Sequence, residues 1–488
     1  MNNNPLEGRK PVSVWHYFQA ISKIPRCSCN EAAVRDYVRQ FAEEHHMAWK
    51  VDAAGNIAVK KGASAGKEAH PGVVLQGHLD MVCEKNRTTK HDFTVDPIKL
   101  VVDGDWLKAD GTTLGADNGI AVAMALAVLA SDEISHGPIE ALFTVDEETG
   151  LTGAMGLDPS IIDGKILLNL DSEEPGVFYI GCAGGVNTEG MLPITSEAVP
   201  QGRVCYTLTI EGLQGGHSGG EIHLGRGNAI GLVGRLLWEL RKLGDFNLVS
   251  VDGGGKHNAI PRECHARFTL SKEKVAEAEE LAKTIGKEIK AELGDNAPGF
   301  NLIFEQDTEA DEQFDRSSTD RICYMLRIMP HGVAAMSRSI EGLVETSTNF
   351  AAIETQKGCC SATVKVLTSQ RSSIMSALDD IAAKVNAAIC VAGGQVRHYS
   401  RYPAWTPNPN SKLLAECKRI YRDFTGEEAS HAAIHAGLEC GVIGDKLKGM
   451  EMISFGPEMP GVHTPEERLN IPSVEKLWGF LIKLLENI

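Results

Sequence analysis

The sequence predicts an α/β protein in which a mixed, mostly parallel sheet with flanking helices is interrupted by an inserted α+β domain. Short apolar runs alternate with helical patterns before residue 186 and again after residue 399, which is the order of parallel β-α-β units. Many of these runs are apolar nearly throughout, as strands covered on both faces are. Between these two parts, runs such as 204–211 alternate polar and apolar residues, which is typical of half-buried strands.

The length of 488 residues exceeds the usual size of one domain and therefore predicts at least two. The formal charge of −17 argues against a nucleic-acid partner, which would require a basic face. The first residues lack the apolar core of a signal peptide, and the most apolar helical run, 120–130, is too short to span a membrane. We therefore expect a cytoplasmic protein whose twelve cysteines are reduced thiols.

The closely spaced cysteines do not have the two-residue spacing of a zinc knuckle. One residue separates Cys27 from Cys29, and Cys359 and Cys360 are adjacent. We interpret all four as ordinary thiols.

The first domain begins with two predicted helices, at 12–24 and 31–46, and the polar break between them can cap the second. The run 51–60 predicts a hairpin in which Gly55 supplies the turn. The run 73–76 then predicts a buried strand.

This strand leads into His78 and Asp80. In an extended segment, residues two apart point to the same side, so the two side chains can face one cavity. An imidazole binds Zn²⁺ well, and a carboxylate beside it can accept the proton of the other ring nitrogen. A single pair of this kind is more often structural, so its assignment depends on the rest of the chain.

Two later strands end in acidic residues. The strand predicted at 139–145 leads into Glu147 and Glu148, and the strand predicted at 166–170 leads into Asp171. Ligands of open α/β sheets collect at the carboxyl ends of the strands, so we expect these side chains to converge.

Asp117 and His463 complete the set. Asp117 precedes a helical run that starts at Ile120, where free N–H groups and the helix dipole favour a carboxylate in any protein. His463 follows the strand-like run 452–455. Converging buried carboxylates repel each other unless they are paired or bind cations. Two divalent cations would relieve this repulsion, so the pattern predicts a metal site.

The inserted domain shows the order β-α-β-β-α-β roughly twice, which predicts two ferredoxin-like halves. The first half is predicted to contain strands 204–211 and 264–270 and helices 225–243 and 272–293. The second half is predicted to start with strand 300–305 and to continue with helix 315–329, strands 346–354 and 361–367, and helix 372–392.

Five short motifs together resemble the signatures of the M20 family of co-catalytic zinc peptidases. They occur in the order Gly77-His78-Leu79-Asp80-Met81, Ala116-Asp117-Asn118-Gly119, Asp146-Glu147-Glu148-Thr149-Gly150, Asn169-Leu170-Asp171-Ser172-Glu173-Glu174 and Gly461-Val462-His463. The first and fourth motifs and the long insert look most like the branch that comprises the aminoacyl-histidine and cytosolic non-specific dipeptidases. The resemblance implies a catalytic di-metal domain at 1–185 and 400–488 and an inserted lid domain at 186–399.

The resemblance also implies two divalent metal ions. Zn²⁺ is the family's ion, and Co²⁺ and Mn²⁺ suit nitrogen and oxygen ligands almost as well. Asp117 would bridge the ions. One ion would also bind His78 and Asp171, and the other would bind Glu148 and His463.

Two further carboxylates have implied roles. Asp80 would orient His78, and Glu147 would be the general base that takes a proton from metal-held water, which leaves the bridging hydroxide, and passes it to the leaving amine. Only the family ordering decides which role belongs to Glu147 and which to Glu148. The family also tends to have a cis peptide bond after the bridging residue, here Asp117.

In the lid, His217 would polarise the scissile carbonyl, and Asn258 and Arg371 would hold the substrate. Gly437 would offer a backbone contact from the catalytic domain. Arg371 could instead be a solvated residue at the start of a helix. The other histidines are predicted to be structural or exposed, among them His136, His223, His257, His331, His431 and His435.

The resemblance therefore implies hydrolysis of dipeptides, including Xaa-His dipeptides such as β-Ala-His, to free amino acids. An aminoacylase or N-deacetylase of the same family would share the ligands, but the long insert argues against it. A catalytically inactive metal-binding protein would not need Glu147 beside the ligands. The expected partner is a small peptide substrate, without nucleic acid or membrane, and a homodimer is left open.

Overall fold

The structure is a computed structural model, and it describes residues 5–358 and 362–488. Cys359 and Cys360, which we interpreted as ordinary thiols, lie outside the described residues. The chain divides into two compact units. Unit 1 consists of the described residues up to Cys182 with Trp405–Ala433 and Leu438–Ile488, and unit 2 consists of the described residues of Ala183–Ala404 with Ile434–Gly437.

Helices and strands are numbered in chain order over the described residues. The helices are α1 Val12–Ile21, α2 Ala32–Glu44, α3 Ala116–Ala130, α4 Thr152–Gly156, α5 Ala229–Leu240, α6 Val275–Leu293, α7 Arg316–Ile328, α8 Met375–Val391, α9 Lys412–Thr425, α10 Glu439–Lys446 and α11 Ile471–Asn487. The strands are β1 Ala48–Val51, β2 Ile57–Lys61, β3 Val73–His78, β4 Leu100–Asp103, β5 Trp106–Ala109, β6 Ile139–Thr144, β7 Ile166–Asn169, β8 Val177–Cys182, β9 Gly184–Ile194, β10 Ser196–Ala198, β11 Arg203–Glu211, β12 Phe246–Gly254, β13 Cys264–Ser271, β14 Asn301–Gln306, β15 Glu312–Phe314, β16 Gly332–Met336, β17 Val344–Lys357, β18 Ala362–Ser372, β19 Gln395–Tyr402, β20 Ser430–Ile434, β21 Glu451–Ser454 and β22 Arg468–Asn470.

Unit 1 contains a mixed sheet in the order β1-β2-β6-β3-β7-β21-β8-β20. The four neighbouring strands β6, β3, β7 and β21 are parallel, whereas β1, β2 and β8 pair antiparallel. Every residue of β3 and β6 is buried, which explains their nearly continuous apolar pattern. The predicted mixed α/β fold is confirmed, and its four central strands pair in parallel.

Helix α3 packs against α1 and β3. Its residues from Asn118 to Leu129 are all buried, as the apolar pattern predicted. The helix begins at Ala116 and not at Ile120, with a kink at Asp117 and Asn118 where the backbone dihedrals are not helical. This kink carries one of the predicted metal ligands.

Unit 2 contains a second sheet in the order β14-β11-β13-β12-β17-β18-β9-β19, with β16 paired to β17. The elements β11-α5-β12-β13-α6-β14 form one β-α-β-β-α-β unit with the strand order β14-β11-β13-β12. The elements β9-α7-β17-β18-α8-β19 form a second unit with the matching order β19-β9-β18-β17. Gly253 of the first half pairs with Ile353 of the second half, so the two halves of unit 2 form one continuous sheet.

The predicted assignment of strands to the two halves was wrong. Strand β14, expected to start the second half, pairs with β11 and completes the first half. The second half starts with β9, so the first half is inserted between β9 and α7. Periodicity identifies a strand but not its partner, which depends on long-range pairs such as Val186 with Gln370.

The expectation that all cysteines are reduced was also wrong. Cys27 and Cys83 form a disulfide across 56 residues of sequence. The sequence carries no local signal for this pair, because the two cysteines meet only when the segment after α1 lies against the end of β3. Cys29 is a free and exposed thiol. No helix within residues 5–358 and 362–488 has the length and apolarity needed to cross a membrane.

We expect Cys83→Ser to lower the stability of the protein, because the disulfide closes a long loop in the unfolded chain. The chain-entropy model gives about 4 kcal/mol for a loop of this length. Thermal melts with and without a reductant measure the effect. Cys390→Ser, at a free exposed cysteine, is the control and should melt like the wild type. A wild-type melting temperature that does not respond to reductant would contradict the expectation.

Candidate functional site

The carboxyl ends of two central parallel strands bring two predicted ligands together beside Asp117. His78 is the last residue of β3, and Asp171 lies two residues after the neighbouring β7. The Nε2 atom of His78 is 3.0 Å from Asp117 Oδ1 and 3.5 Å from Asp171 Oδ1. His78, Asp117 and Asp171 therefore form a group that could hold one metal ion.

A second group forms around the other oxygen of Asp117. The Nε2 atom of His463 is 3.1 Å from Asp117 Oδ2 and 3.0 Å from Glu148 Oε2. These three residues could hold another ion. Asp117 thus belongs to both groups and presents a different oxygen to each histidine, which is the arrangement expected of a bridging carboxylate.

The backbone around Asp117 departs from a regular helix. The expected cis peptide between Asp117 and Asn118 is confirmed. The Asn118 side chain donates a hydrogen bond to the carbonyl oxygen of Leu170 (3.0 Å), which links the kink in α3 to the end of β7. A side chain at Gly77 would collide with Asn118 Oδ1, so glycine is needed beside His78.

The nitrogen and oxygen atoms of the two ligand groups are suited to bind cations, because protein contacts do not balance the charge of the carboxylates. Glu148 Oε1 is buried and has no hydrogen-bond partner among the described residues. Hydrogen bonds to Asp117 and Glu148 raise the pKa of His463 to about 11. Burial lowers the pKa of His78, but the carboxylates of Asp171 and Asp117 outweigh it and raise the pKa well above its usual value. Both histidines are thus driven towards the cationic form, because the carboxylates lack positive charge to balance them.

Asp80 is fully buried and contacts more than His78. Its Oδ1 atom lies 3.3 Å from His78 Nδ1 and accepts the backbone N–H of Glu147 (3.1 Å), while Oδ2 accepts the N–H of Glu148 (3.2 Å) and the hydroxyl of Ser28 (2.8 Å). Burial alone would raise the pKa of Asp80, but the bonds to His78 and to these donors lower it to about 2. One ionised carboxylate therefore positions both the histidine and the Glu147–Glu148 pair.

Glu147 and Glu148 differ in their surroundings. Glu148 contacts His463, whereas Glu147 belongs to a third potential ligand group with His78 and Glu148. Burial raises the pKa of Glu147, and the neighbouring carboxylates of Asp171 and Glu439 raise it further. A carboxylate whose proton affinity is raised in this way is suited to accept a proton.

The four predicted substrate-binding residues, His217, Asn258, Arg371 and Gly437, all lie in unit 2. Arg371 is not a solvated residue at a helix start, because it lies in β18 and is only 8% exposed. Its Nη1 atom donates to the hydroxyl of Tyr402 (3.1 Å), and its buried Nε has no partner among the described residues. Gly437 was expected in the catalytic domain and lies instead in the short segment 434–437 of unit 2.

The loop that carries His217 lies beside the segment of Asn258. The N–H of Ser218 donates to the carbonyl oxygen of Asn258 (2.9 Å). The Nδ1 atom of His217 accepts the N–H of Gly220 (3.1 Å), so the neutral ring carries its proton on Nε2. Burial lowers the pKa of His217, and the charge of Arg371 lowers it further, which favours this neutral form.

His435, which was predicted to be structural or exposed, is buried beside this group. Its Nε2 atom lies 2.7 Å from the hydroxyl of Ser347, and Ser347 is the cross-strand partner of Arg371. Burial, helped by the charge of Arg371, lowers the pKa of His435 to about 3, and its buried Nδ1 has no partner among the described residues. The sequence offered one indication of this position, which is that His435 follows a strand in a loop that contains glycine.

Sequence reasoning also missed Glu439, in unit 1. Its buried carboxylate accepts hydrogen bonds from Gln76 (2.6 Å), in β3, and Thr144 (2.7 Å), in β6. Burial raises the pKa of Glu439 to about 7. Arg26 and Glu467 were missed as well, because neither forms a recognisable motif by itself.

Comparison with known proteins gives the same family as the motifs. The model of peptidase family M20/M25/M40 matches residues 74–487. The chain belongs to this family. The predicted resemblance to the M20 peptidases is thereby confirmed.

Known proteins match this M20 chain over nearly its whole length. The chain is 39% identical over 483 residues to the cytosol non-specific dipeptidase of Escherichia coli (strain K12), covering 99% of each protein. The crystal structure of aminoacylhistidine dipeptidase from Vibrio alginolyticus has a TM-score of 0.93 at 40% identity and covers 100% of this chain and 98% of that one. The aminopeptidase PepT of Bacillus cereus, with a TM-score of 0.61 at 16% identity and 97% of each chain covered, shares the fold.

We expect removal of metal ions to abolish peptidase activity, because the two ligand groups contain only nitrogen and oxygen donors suited to divalent cations. Dialysis against a chelator followed by an activity assay tests this. Metal analysis of the active protein should approach two ions per chain, and added Zn²⁺ should restore activity. Full activity with one tightly bound ion would contradict the expectation that Asp117 binds two metal ions.

We expect Glu147→Gln to retain metal and to lose activity, whereas Glu148→Gln should weaken metal binding. A general base contributes roughly 10²- to 10⁴-fold in rate. Metal content and kcat measured on both variants separate the two roles. The reverse pair of phenotypes would show that the roles of the two glutamates are exchanged.

Proposed function

We propose that this M20 peptidase is a metallo-dipeptidase that hydrolyses dipeptides, including Xaa-His dipeptides such as β-Ala-His, to free amino acids. The observation that carries the proposal is the shared carboxylate of Asp117, which presents one oxygen to His78 and the other to His463. The names of the Escherichia coli and Vibrio alginolyticus relatives support the substrate class, because the likeness spans almost the whole chain.

Two divalent ions are the proposed cofactors. His78 and Asp171 would hold one ion, Glu148 and His463 the other, and Asp117 both. We propose Zn²⁺, and Co²⁺ and Mn²⁺ would suit the same donors. Such ions, when bound, polarise a carbonyl and lower the pKa of water.

Glu147 is the proposed general base. Its carboxylate lies close to His78 and Glu148. Of these two glutamates, Glu148 is the one that pairs with His463. Glu147 would take a proton from the attacking water and transfer it to the nitrogen of the leaving amino acid. Asp80 supports this step because it accepts the backbone N–H of Glu147 and contacts the ring of His78.

The proposed substrate-binding groups are those of unit 2. The guanidinium of Arg371 would bind the free carboxylate of the dipeptide in a charge-assisted pair, with Asn258 as a neutral partner. The neutral His217 would donate its Nε2 proton to the oxygen of the scissile carbonyl as negative charge develops there. Gly437 would add a backbone contact.

The proposed partner is a small peptide. We propose a cytoplasmic location because the Escherichia coli relative is named a cytosol dipeptidase. A homodimer and the absence of nucleic-acid and membrane partners stay predictions from the sequence.

We expect Arg371→Ala to lower kcat/KM for dipeptides strongly, because it removes the charged partner of the substrate carboxylate. Loss of one partner of a desolvated charged pair costs roughly 2–5 kcal/mol, which at about 1.4 kcal/mol per decade is between one and four orders of magnitude in kcat/KM. Dipeptide amides lack the carboxylate, so they should be poor substrates of the wild type and nearly insensitive to the substitution.

The control for this prediction is Arg397→Ala, because Arg397 is an exposed arginine of unit 2 that pairs with Glu189. It should leave the kinetics unchanged. The assay should include tripeptides and N-acetyl amino acids, which separate a dipeptidase from an aminopeptidase or an aminoacylase. Equal turnover of dipeptides and their amides by the wild type would remove Arg371 from the mechanism.

A further inference from the structure

Two buried charges of unit 1 contact the segment that leads into Asp117. Glu467 is 2% exposed and Arg26 is 3% exposed. Neither side chain forms an ion pair within 4 Å among the residues that the structure describes. Their partners are backbone groups of the segment 114–117 and of the turn after β3.

Glu467 accepts the backbone N–H groups of four consecutive residues. Its Oε2 atom accepts the N–H of Leu114 (2.7 Å) and Gly115 (3.0 Å), and Oε1 accepts the N–H of Ala116 (2.8 Å) and Asp117 (3.3 Å). The first N–H groups of a helix have no partner within the helix, and here one carboxylate accepts two of them, at Ala116 and Asp117, together with the two N–H groups that precede the helix. The backbone position of Asp117 therefore depends on Glu467.

Arg26 contacts the same segment through a carbonyl oxygen. Its Nη2 atom donates to the oxygen of Gly115, and Nη1 donates to the oxygens of Leu79 and Asp80 (2.9 Å each). The backbone oxygen of Arg26 also accepts the N–H of Met81 (3.1 Å). One planar guanidinium thus joins the segment before Asp117 to the turn that follows His78.

The chain leaves room for this guanidinium. A Cβ atom at Gly115 or at Gly119 would lie 2.6 Å from Arg26 Nη2. Gly115 also has a φ of 69°, which favours glycine. The sequence therefore lacks side chains at the two positions where they would displace Arg26.

The charges of the two side chains complement the ligand groups. Burial lowers the pKa of Arg26, and the carboxylates of Glu467, Asp80, Asp117 and Glu148 oppose that shift. A buried charge is costly unless other groups stabilise it. The carbonyl oxygens bond the guanidinium directly, and the surrounding carboxylates stabilise its charge over a longer range.

We propose that Arg26 and Glu467 are positioning residues of the di-metal site, which set the place of Asp117 relative to His78 and His463. Arg26 links Asp117's segment to the turn after His78. Glu467 links the same segment to the loop of His463, four residues away along the chain. The proposal rests on the proposed function, because it assumes that His78, Asp117 and His463 bind metal ions. It concerns the relative positions of these three side chains.

The test uses Arg26→Lys and Glu467→Gln. Lysine keeps the charge but not the planar fork that bonds three carbonyls, and glutamine keeps the shape but replaces one acceptor by a donor. The visible absorption spectrum of the Co²⁺-loaded protein reports ligand geometry independently of turnover. We expect both variants to bind Co²⁺ with altered absorption bands and to lose roughly 10- to 100-fold in kcat, because small misplacements cost this much, with little change in KM.

The matched control is Arg241→Lys, because Arg241 is a partly buried arginine of unit 2 that pairs with Asp320 (2.9 Å). It should leave the Co²⁺ spectrum and kcat unchanged. If Glu467→Gln does not fold, Glu467→Asp replaces it, since it keeps the charge and shortens its reach. An unchanged Co²⁺ spectrum and kcat in any folded variant of Arg26 or Glu467 would overturn the proposal. Unfolding of all three variants would also overturn it, because the pair would then serve stability alone.

The outcomes separate this proposal from the proposed function. A changed Co²⁺ spectrum in the variants, with no dipeptide turnover by the wild type, would support the positioning role and refute the dipeptidase assignment. Dipeptide turnover by the wild type, with unchanged spectra and kcat in folded variants, would support the dipeptidase and refute the positioning role.

Discussion

The two ligand groups of unit 1 depend on one carboxylate, that of Asp117, whose two oxygens face two different histidines. That position is demanding, because the residue lies at a kink at the start of a buried helix and close to other carboxylates. The repulsion between these carboxylates is the physical reason why the site needs positive charge. In the proposed enzyme, two divalent ions would supply that charge.

Backbone groups satisfy the buried charges around this site. Asp80 accepts the N–H groups of Glu147 and Glu148, Glu467 accepts those of the segment before Asp117, and Arg26 donates to three carbonyl oxygens. Most of these backbone groups lie in the turns that follow β3 and β6 and in the segment that leads into α3. The arrangement holds several segments, distant in sequence, at the separations that a shared ligand requires.

Unit 2 contains a different kind of polar group. Three polar side chains of this unit come from separate parts of the chain. Arg371 lies in a buried strand, His217 in a glycine-rich loop, and His435 in a short segment from much later in the chain. The histidines stay neutral because burial and the guanidinium lower their pKa values. A buried cation surrounded by neutral donors suits a ligand with a free carboxylate, which agrees with the proposed dipeptide.

The sequence by itself determined the fold class, the family and the candidate ligands, because strand-end acids and histidines form local motifs whose order can be read along the chain. It also indicated both the β-α-β-β-α-β pattern and the polar loop at His217. Only the tertiary structure decided which strands belong to each half of unit 2, that Cys27 meets Cys83, and that Arg26, Glu467 and His435 lie where they do. These features depend on pairing between residues far apart in the chain, such as Val186 with Gln370, and no local pattern records a long-range partner.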